Sequence, residues 1–185
     1  GDPIDFARLA QIGSEGVLLM MADSTNVLRQ GYTASERVVG KTLGNIFRGC
    51  NSRIIIATFS SNVHRIQKIV DLAKECGRKV AVSGRSMVNV VELATELGYM
   101  KIPSNMLVDL NKAKNVPDKE MVIITTGSQG EPMSALARMA SSEHKAIKIK
   151  RGDRVILSSS PVPGNELTVA NVVNKLVEKG AEVIY

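Results

Sequence analysis

Five short polar segments follow apolar runs of the sequence, and each is rich in Ser, Gly or Asn. Small side chains let backbone N–H groups approach an anion, hydroxyl groups donate further hydrogen bonds, and the dipole of a following helix favours negative charge. Together they predict a phosphate-binding groove, although each alone is typical of an ordinary turn or helix cap. The segments are DSTN (23–26), FSSNVHR (59–65), SGRSM (83–87), TGSQGEPM (126–133) and SSSPVPGNE (158–166).

Apolar, β-branched runs alternate with helical patterns along the chain, which predicts the elements that position these segments. The expected fold class is α/β: a doubly wound, mainly parallel, Rossmann-like sheet with helices on both faces. Because the carboxyl ends of parallel strands share one edge, all five segments should meet there. Strands are predicted at 16–22, 53–58, 79–83, 121–126, 154–159 and 181–185, and helices near 33–48, 62–76, 86–98, 132–140 and 165–179.

Composition limits the partners that such a groove accepts. The 185 residues are 44% hydrophobic, enough for one domain with a real core, and 24 Lys plus Arg against 18 Asp plus Glu give a net charge of +6. This charge permits a polyanion, and with three Phe, three Tyr and no Trp the contacts should be to phosphates rather than stacked bases. Cys50 and Cys76, beside predicted helix ends, indicate reduced thiols in a cytoplasmic protein without a signal peptide or membrane span.

Six blocks, in order along almost the whole chain, resemble consecutive blocks of bacterial ribonuclease J, in the β-CASP branch of the metallo-β-lactamase superfamily. They are MADSTN, TASERVVG, TFSSNVHR, SGRSM, TTGSQGEPMSALARMA and EHKAIKIKRGDRVILSSSPVPGNE, of which TTGSQGEP together with SSSPVPGNE is the most specific combination. The resemblance implies that residues 1–30 are the end of the metallo-β-lactamase-like part and a junction. It implies that residues 31–185 are the β-CASP domain.

The function implied for the parent protein is metal-dependent RNA processing with two Zn²⁺ ions, by endonuclease and 5′–3′ exonuclease action on single-stranded RNA. The domain would clamp the RNA strand over the metal centre, and we expect a cytoplasmic homo-oligomer. The family's HxHxDH and HxSGH motifs do not occur here, and the only histidines are His64 and His144. A catalytic zinc site needs three or more protein ligands, so the chain alone should be inactive and bind no zinc.

Two acidic residues match catalytic motifs of the family. Asp23 corresponds to the aspartate that bridges the two metal ions, and Glu36 to the acidic motif that begins the β-CASP region. Without the resemblance, Asp23 would be a turn or N-cap residue, and Glu36 the third helical residue of a capping box begun by Thr33.

The predicted RNA- and phosphate-binding residues lie in the polar segments. Arg85 is placed to hold a phosphate with two hydrogen bonds, and Glu131 would contact a ribose or base edge, or else cap a helix opened by Pro132. His64 and Arg65 are equally consistent with ordinary surface positions. His144 is predicted to be a surface residue, and the basic run 145–154 a solvated face rather than a binding site. The full predicted set is Ser60, Ser61, His64, Arg65, Arg85, Ser128, Gln129, Glu131 and Ser158.

Two alternative functions stay open at this point. The pattern alone also fits a Rossmann-like module that binds a nucleotide or phosphometabolite, although neither GxGxxG after the first predicted strand nor GxxxxGK[ST] occurs. Within the superfamily, the alternatives are an endonuclease acting on messenger 3′ ends and a DNA-processing relative, against which TTGSQGEP favours the ribonuclease J branch.

Overall fold

A computed structural model describes residues 4–24, 27–28, 30–32 and 35–185. The chain divides into two compact units, Gly1–Glu36 and Arg37–Tyr185. Thr33, the predicted N-cap, and Thr25 and Asn26 of the first polar segment lie outside the described residues.

The first unit contains a helix that the sequence did not predict and lacks a strand that it did. Helix α1 (Phe6–Glu15) begins after Asp5, whose side chain accepts a hydrogen bond from the Arg8 backbone N–H at 2.9 Å. Residues 16–22 form no strand, and Leu18 to Met21 are exposed. The strand prediction was wrong because a strand needs backbone partners, and the described residues provide none for this run.

The second unit is built on a five-stranded, wholly parallel sheet, which confirms the predicted fold class. The strand order is β2-β3-β1-β4-β5, and Ile54 of the central strand pairs with Val122 on one side and Arg154 on the other. The remaining five predicted strands are confirmed, with bounds β1 Ile54–Ala57, β2 Lys79–Ser83, β3 Met121–Thr125, β4 Arg154–Leu157 and β5 Glu182–Ile184.

Helices cover both faces of the sheet, as near-continuous apolar strands require. Ile54 and Ile56 belong to a core shared with α2, α3 and α4, whereas Ile55 and Ala57 belong to a core shared with α5 and α6. The predicted helices are confirmed, with bounds α2 Glu36–Arg48, α3 Val63–Glu75, α4 Arg85–Glu96, α5 Ala135–Ala140 and α6 Glu166–Glu178. Two 3-10 helices, Leu110–Asn115 and Asp118–Glu120, precede β3.

A buried ion pair lies at the amino edge of the sheet. Arg53, just before β1, donates from Nε to Asp153 Oδ1 at 3.0 Å and from Nη2 to Oδ2 at 2.5 Å, with side chains only 6% and 3% exposed. Arg53 Nη2 also donates to the Lys148 carbonyl oxygen at 2.7 Å. The basic side chains Lys145, Lys148, Lys150 and Arg151 are exposed, as predicted for a solvated face. Ile147 and Asp153 of the same run are buried.

Candidate nucleic-acid interface

Four of the five predicted polar segments meet at the carboxyl edge of the sheet. Backbone hydrogen bonds join their starts directly: Ser158 N–H donates to Ala57 O at 2.8 Å, Thr58 N–H to Thr125 O at 3.2 Å, and Thr126 N–H to Ser83 O at 3.3 Å. We call segments 59–65, 83–87, 126–133 and 158–166 the strand-end loops. The fifth segment, 23–26, follows no strand of this sheet.

The chain reverses its direction of winding between β1 and β4. From β1 it passes through α3 towards β2, and from β4 through α6 towards β5, with the two helices on opposite faces. Such a switch point opens a crevice at the carboxyl edge, where α/β sheets bind ligands. Arg65 of α3 spans it by donating from Nη1 to the Ser158 carbonyl oxygen, and its Nη1 also lies 3.4 Å from Ser158 Oγ.

The glycines of segment 126–133 are required by close packing within the protein. Gly127 has φ +108°, and a Cβ there would lie 2.3 Å from Ser134 Oγ. Gly130 has φ +73°, and a Cβ there would lie 2.5 Å from the Thr168 carbonyl carbon, in the first turn of α6. The loop therefore lies directly against backbone, and no larger residue fits at Gly130 without moving it.

The predicted binding residues divide into an exposed and a buried group. Ser61 and His64 are exposed near the start of α3, Arg85 is exposed as the first residue of α4, and Ser60 is half-buried. Ser128, Gln129 and Ser158 are buried. These four residues, together with the exposed Glu131, therefore offer side-chain surface to a ligand at this edge, while the buried three belong to the support beneath it.

Glu131 organises its own loop. Its side chain is exposed, and Oε2 accepts a hydrogen bond from the Gln129 backbone N–H at 3.1 Å. The alternative that it caps a helix opened by Pro132 was wrong, because α5 begins at Ala135 and the Ser134 side chain accepts from Ala137 N–H.

His144 was wrongly predicted to be a surface residue: it is 7% exposed and connects two parts of the interface support. Its Nδ1 accepts from the backbone N–H groups of Ala146 and Ile147 at 3.3 and 3.1 Å. Nε2 therefore carries the proton and donates to Ser83 Oγ over 3.1 Å. Burial, and secondarily the charge of Arg138, lower the pKa of His144. No spacing in the sequence signalled this contact between residues 61 positions apart.

The proposed catalytic acids lie outside these loops. Asp23 is an exposed residue of the first unit, outside helix and strand, and Glu36 is the exposed first residue of α2. Within the described parts of the chain, no three His, Cys, Asp or Glu side chains are grouped so that they could hold a metal ion. These residues alone therefore do not fit a two-zinc centre. No helix among the described residues is long and apolar enough to cross a membrane.

A parallel α/β sheet with polar loops gathered at a switch point defines the class of Rossmann-like ligand-binding domains. The family model for the β-CASP domain of ribonuclease J matches residues 51–176. The chain therefore belongs to the ribonuclease J family, as its motifs predicted.

Curated relatives from the same family match this sequence over almost its whole length. Ribonuclease J of Synechocystis sp. is 45% identical over 185 residues, which are 100% of this chain and 29% of the relative. Ribonuclease J of Thermus thermophilus is 47% identical, over 99% of this chain and 33% of the relative. Ribonuclease J2 of Bacillus subtilis is 41% identical, over 98% of this chain and 33% of the relative. The chain thus spans a third or less of the length of these relatives.

Proposed function

We propose that this chain is the RNA-clamping domain of a metal-dependent ribonuclease that acts on single-stranded RNA, both internally and from a 5′-monophosphate end. The observation that carries the proposal is the meeting of four strand-end loops at the switch point of a ribonuclease J β-CASP domain. In this proposal the loops bind the sugar-phosphate backbone, because a net charge of +6 and few aromatic residues suit phosphate contacts better than base stacking.

Exposed side chains at this edge supply the contacts in the proposal. Arg85 begins α4 and projects from the loop after β2, so its guanidinium provides a fork of donors for one phosphate. Ser61 and His64 provide further donors at the start of α3, beside the crevice that Arg65 and Ser158 span. Binding through such contacts holds the strand in place without reading its sequence.

The metal centre is proposed to lie outside the strand-end loops. His144 has both ring nitrogens engaged inside the protein, so it has no nitrogen to offer a metal ion. We propose that histidines elsewhere in the parent hold two Zn²⁺ ions together with Asp23, and that Glu36 supports this site. When bound, the zinc ions would activate the water that attacks the phosphodiester.

Residues 1–30 are proposed to be the end of the metallo-β-lactamase-like part. Leu18, Leu19, Met20 and Met21 are exposed immediately before Asp23. Four consecutive exposed apolar side chains are costly in water, which supports a role for this run in packing against another part of the parent. We further propose that the parent is a cytoplasmic homo-oligomer.

The experiment compares the complete protein with residues 1–185 alone, on 5′-monophosphorylated single-stranded RNA with added zinc or manganese. The complete protein should degrade the RNA, its Asp23→Ala variant should retain the fold without turnover, and the chain alone should be inactive. Metal-dependent cleavage by purified residues 1–185, or normal turnover by Asp23→Ala, would contradict the proposed division of roles.

A further inference from the structure

Gln129 makes four side-chain hydrogen bonds to a single neighbouring loop. Its Nε2 donates to Ser159 Oγ and to the Ser160 carbonyl oxygen, both at 3.1 Å. Its Oε1 accepts from the Val162 backbone N–H at 2.7 Å and from Asn165 Nδ2 at 3.3 Å. All four partners lie in strand-end loop 158–166, and the Gln129 residue is only 4% exposed.

This set of bonds uses the whole capacity of the side chain. A carboxamide has two N–H donors and an oxygen that accepts two hydrogen bonds, and all four are taken. The orientation of the amide is also fixed, because the opposite one would turn its NH₂ group towards two other donors. Gln129 therefore retains no polar group for RNA, although sequence reasoning placed it among the RNA ligands.

The backbone of Gln129 is held as firmly as its side chain. Its N–H donates to Glu131 Oε2 at 3.1 Å, and its carbonyl oxygen accepts from Thr168 Oγ1 at 3.1 Å. The next residue, Gly130, lies against the backbone of Thr168 and Val169. Gln129 thus starts from a fixed position between β3 and α6, and its side chain reaches across to the loop that follows β4.

We propose that Gln129 is a positioning residue, which sets loop 158–166 in its RNA-binding form and does not touch RNA itself. Arg65 holds the start of the same loop at Ser158, and Gln129 holds its middle from Ser159 to Asn165. The loop is therefore attached to the segments after β1 and after β3, so that three strand-end loops form one rigid surface. This inference rests on the proposed function, because the ligand of that surface is taken to be RNA.

The test uses Gln129→Met in the complete protein, since Met has a similar length and none of the hydrogen bonds. Hydrogen exchange measured by mass spectrometry in peptides covering 158–166 should become at least about tenfold faster, while peptides from β1 and β3 stay unchanged. The affinity for 5′-monophosphorylated single-stranded RNA should fall at least about tenfold in the same variant.

Gln67→Met is the matched control. Gln67 also bonds through both ends of its amide, to Asp71, the Lys101 carbonyl and the Lys101 N–H, but it lies on α3 and holds the backbone of Lys101. Its replacement should speed exchange around Lys101 and leave both loop 158–166 and RNA affinity unchanged. If Gln129→Met does not fold, Ser159→Ala replaces it in the test. This variant removes one of the four Gln129 hydrogen bonds, and should give smaller changes in the same two measurements.

Each outcome decides the question. Weaker RNA binding with unchanged exchange in 158–166 would mean that Gln129 contacts RNA directly, and would overturn the proposal. Unchanged exchange in 158–166 together with unchanged RNA affinity would also overturn it. Faster exchange in 158–166 with unchanged RNA affinity would do so too, because the loop would then not need Gln129 in order to bind RNA. If the wild-type complete protein does not bind RNA, the proposed function fails, whereas the exchange result still shows whether Gln129 holds the loop.

Discussion

The imidazole of His144 lies 3.1 Å from Ser83 Oγ, and thereby joins the chain after α5 to the carboxyl end of strand β2. Its other nitrogen, Nδ1, accepts hydrogen bonds from two backbone N–H groups. A proton added to Nδ1 would therefore face two donors and no acceptor. Ser83 immediately precedes Gly84 and Arg85 in one strand-end loop. The charge state of one buried ring therefore affects the support of the proposed RNA surface.

Stability should depend on pH through His144. Because the pKa of His144 is lowered from 6.5 in the folded state, the unfolded chain binds the proton more readily below pH 6.5. The contribution of neutral His144 to the free energy of unfolding is complete above pH 6.5, and is lost as the pH falls from there through the folded-state pKa. In His144→Asn, whose Oδ1 still accepts from the two N–H groups, the melting temperature should fall less between about pH 7.5 and about pH 5. Equal pH dependence of the melting temperature in wild type and His144→Asn would contradict the assignment.

The ion pair between Arg53 and Asp153 should be costly to break. Asp153→Asn keeps the shape but leaves the buried guanidinium without a counter-charge, so the free energy of unfolding should fall by about 3–5 kcal/mol. Asp118→Asn breaks the ion pair with Lys150, in which the Asp118 side chain is 46% and the Lys150 side chain 52% exposed. It should lower the free energy of unfolding by less than about 1 kcal/mol. Urea unfolding of both variants measures the difference. Similar losses would show that burial of the first pair has no energetic consequence.

Two glycines with similar backbone angles should respond differently to the same substitution. Gly152→Ala, at φ +85° with no atom within 4 Å of the added Cβ, should cost only the left-handed backbone penalty of about 1–2 kcal/mol. Gly130→Ala, at φ +73°, adds a clash with the Thr168 backbone and should cost about 3 kcal/mol or more. Comparing their unfolding free energies isolates the effect of close packing. A Gly130→Ala variant as stable as Gly152→Ala would show that α6 moves aside easily.

Arg85→Ala should weaken RNA binding by the complete protein to a similar extent for different sequences, because a phosphate contact reads no base. The slope of log affinity against log salt should decrease by about 1, as loss of one phosphate contact predicts. Arg151→Ala makes the same charge change in the exposed turn before β4, at the opposite edge of the sheet, and should have little effect. Equal losses in the two variants would point to general charge attraction rather than a site at the strand-end loops.

The sequence predicted those features of the fold that local patterns encode. Apolar β-branched runs located all five strands of the sheet, and i, i+3, i+4 spacing located helices such as α3. The run 16–22 has the same local pattern and is no strand, because pairing depends on a partner that the pattern does not contain. The four loops at the carboxyl edge were predictable since parallel strands place their ends together.

The contacts within that edge were not predictable. Gln129 and His144 are polar residues in polar segments, and nothing local distinguishes a buried amide with four partners from an exposed one. Their partners lie 30 and 61 positions away in the chain, at Ser159 and Ser83. Burial of such residues follows from tertiary packing, so a list of ligands read from motifs mixes surface residues with their supports.

The order of the strands has a consequence for synthesis on the ribosome. Strands β1 and β2 do not pair with each other, and β3 lies between them in the sheet. A nascent chain that ends before Met121 therefore has two apolar strands without their principal neighbours, and Ile54 awaits Val122 and then Arg154. During that interval α2, α3 and α4 are available to cover one face of these strands, whereas α5 and α6 of the other face have not yet been synthesised. Once β3 has been translated it can pair with both β1 and β2, and from this step chaperone binding to the growing chain should decline.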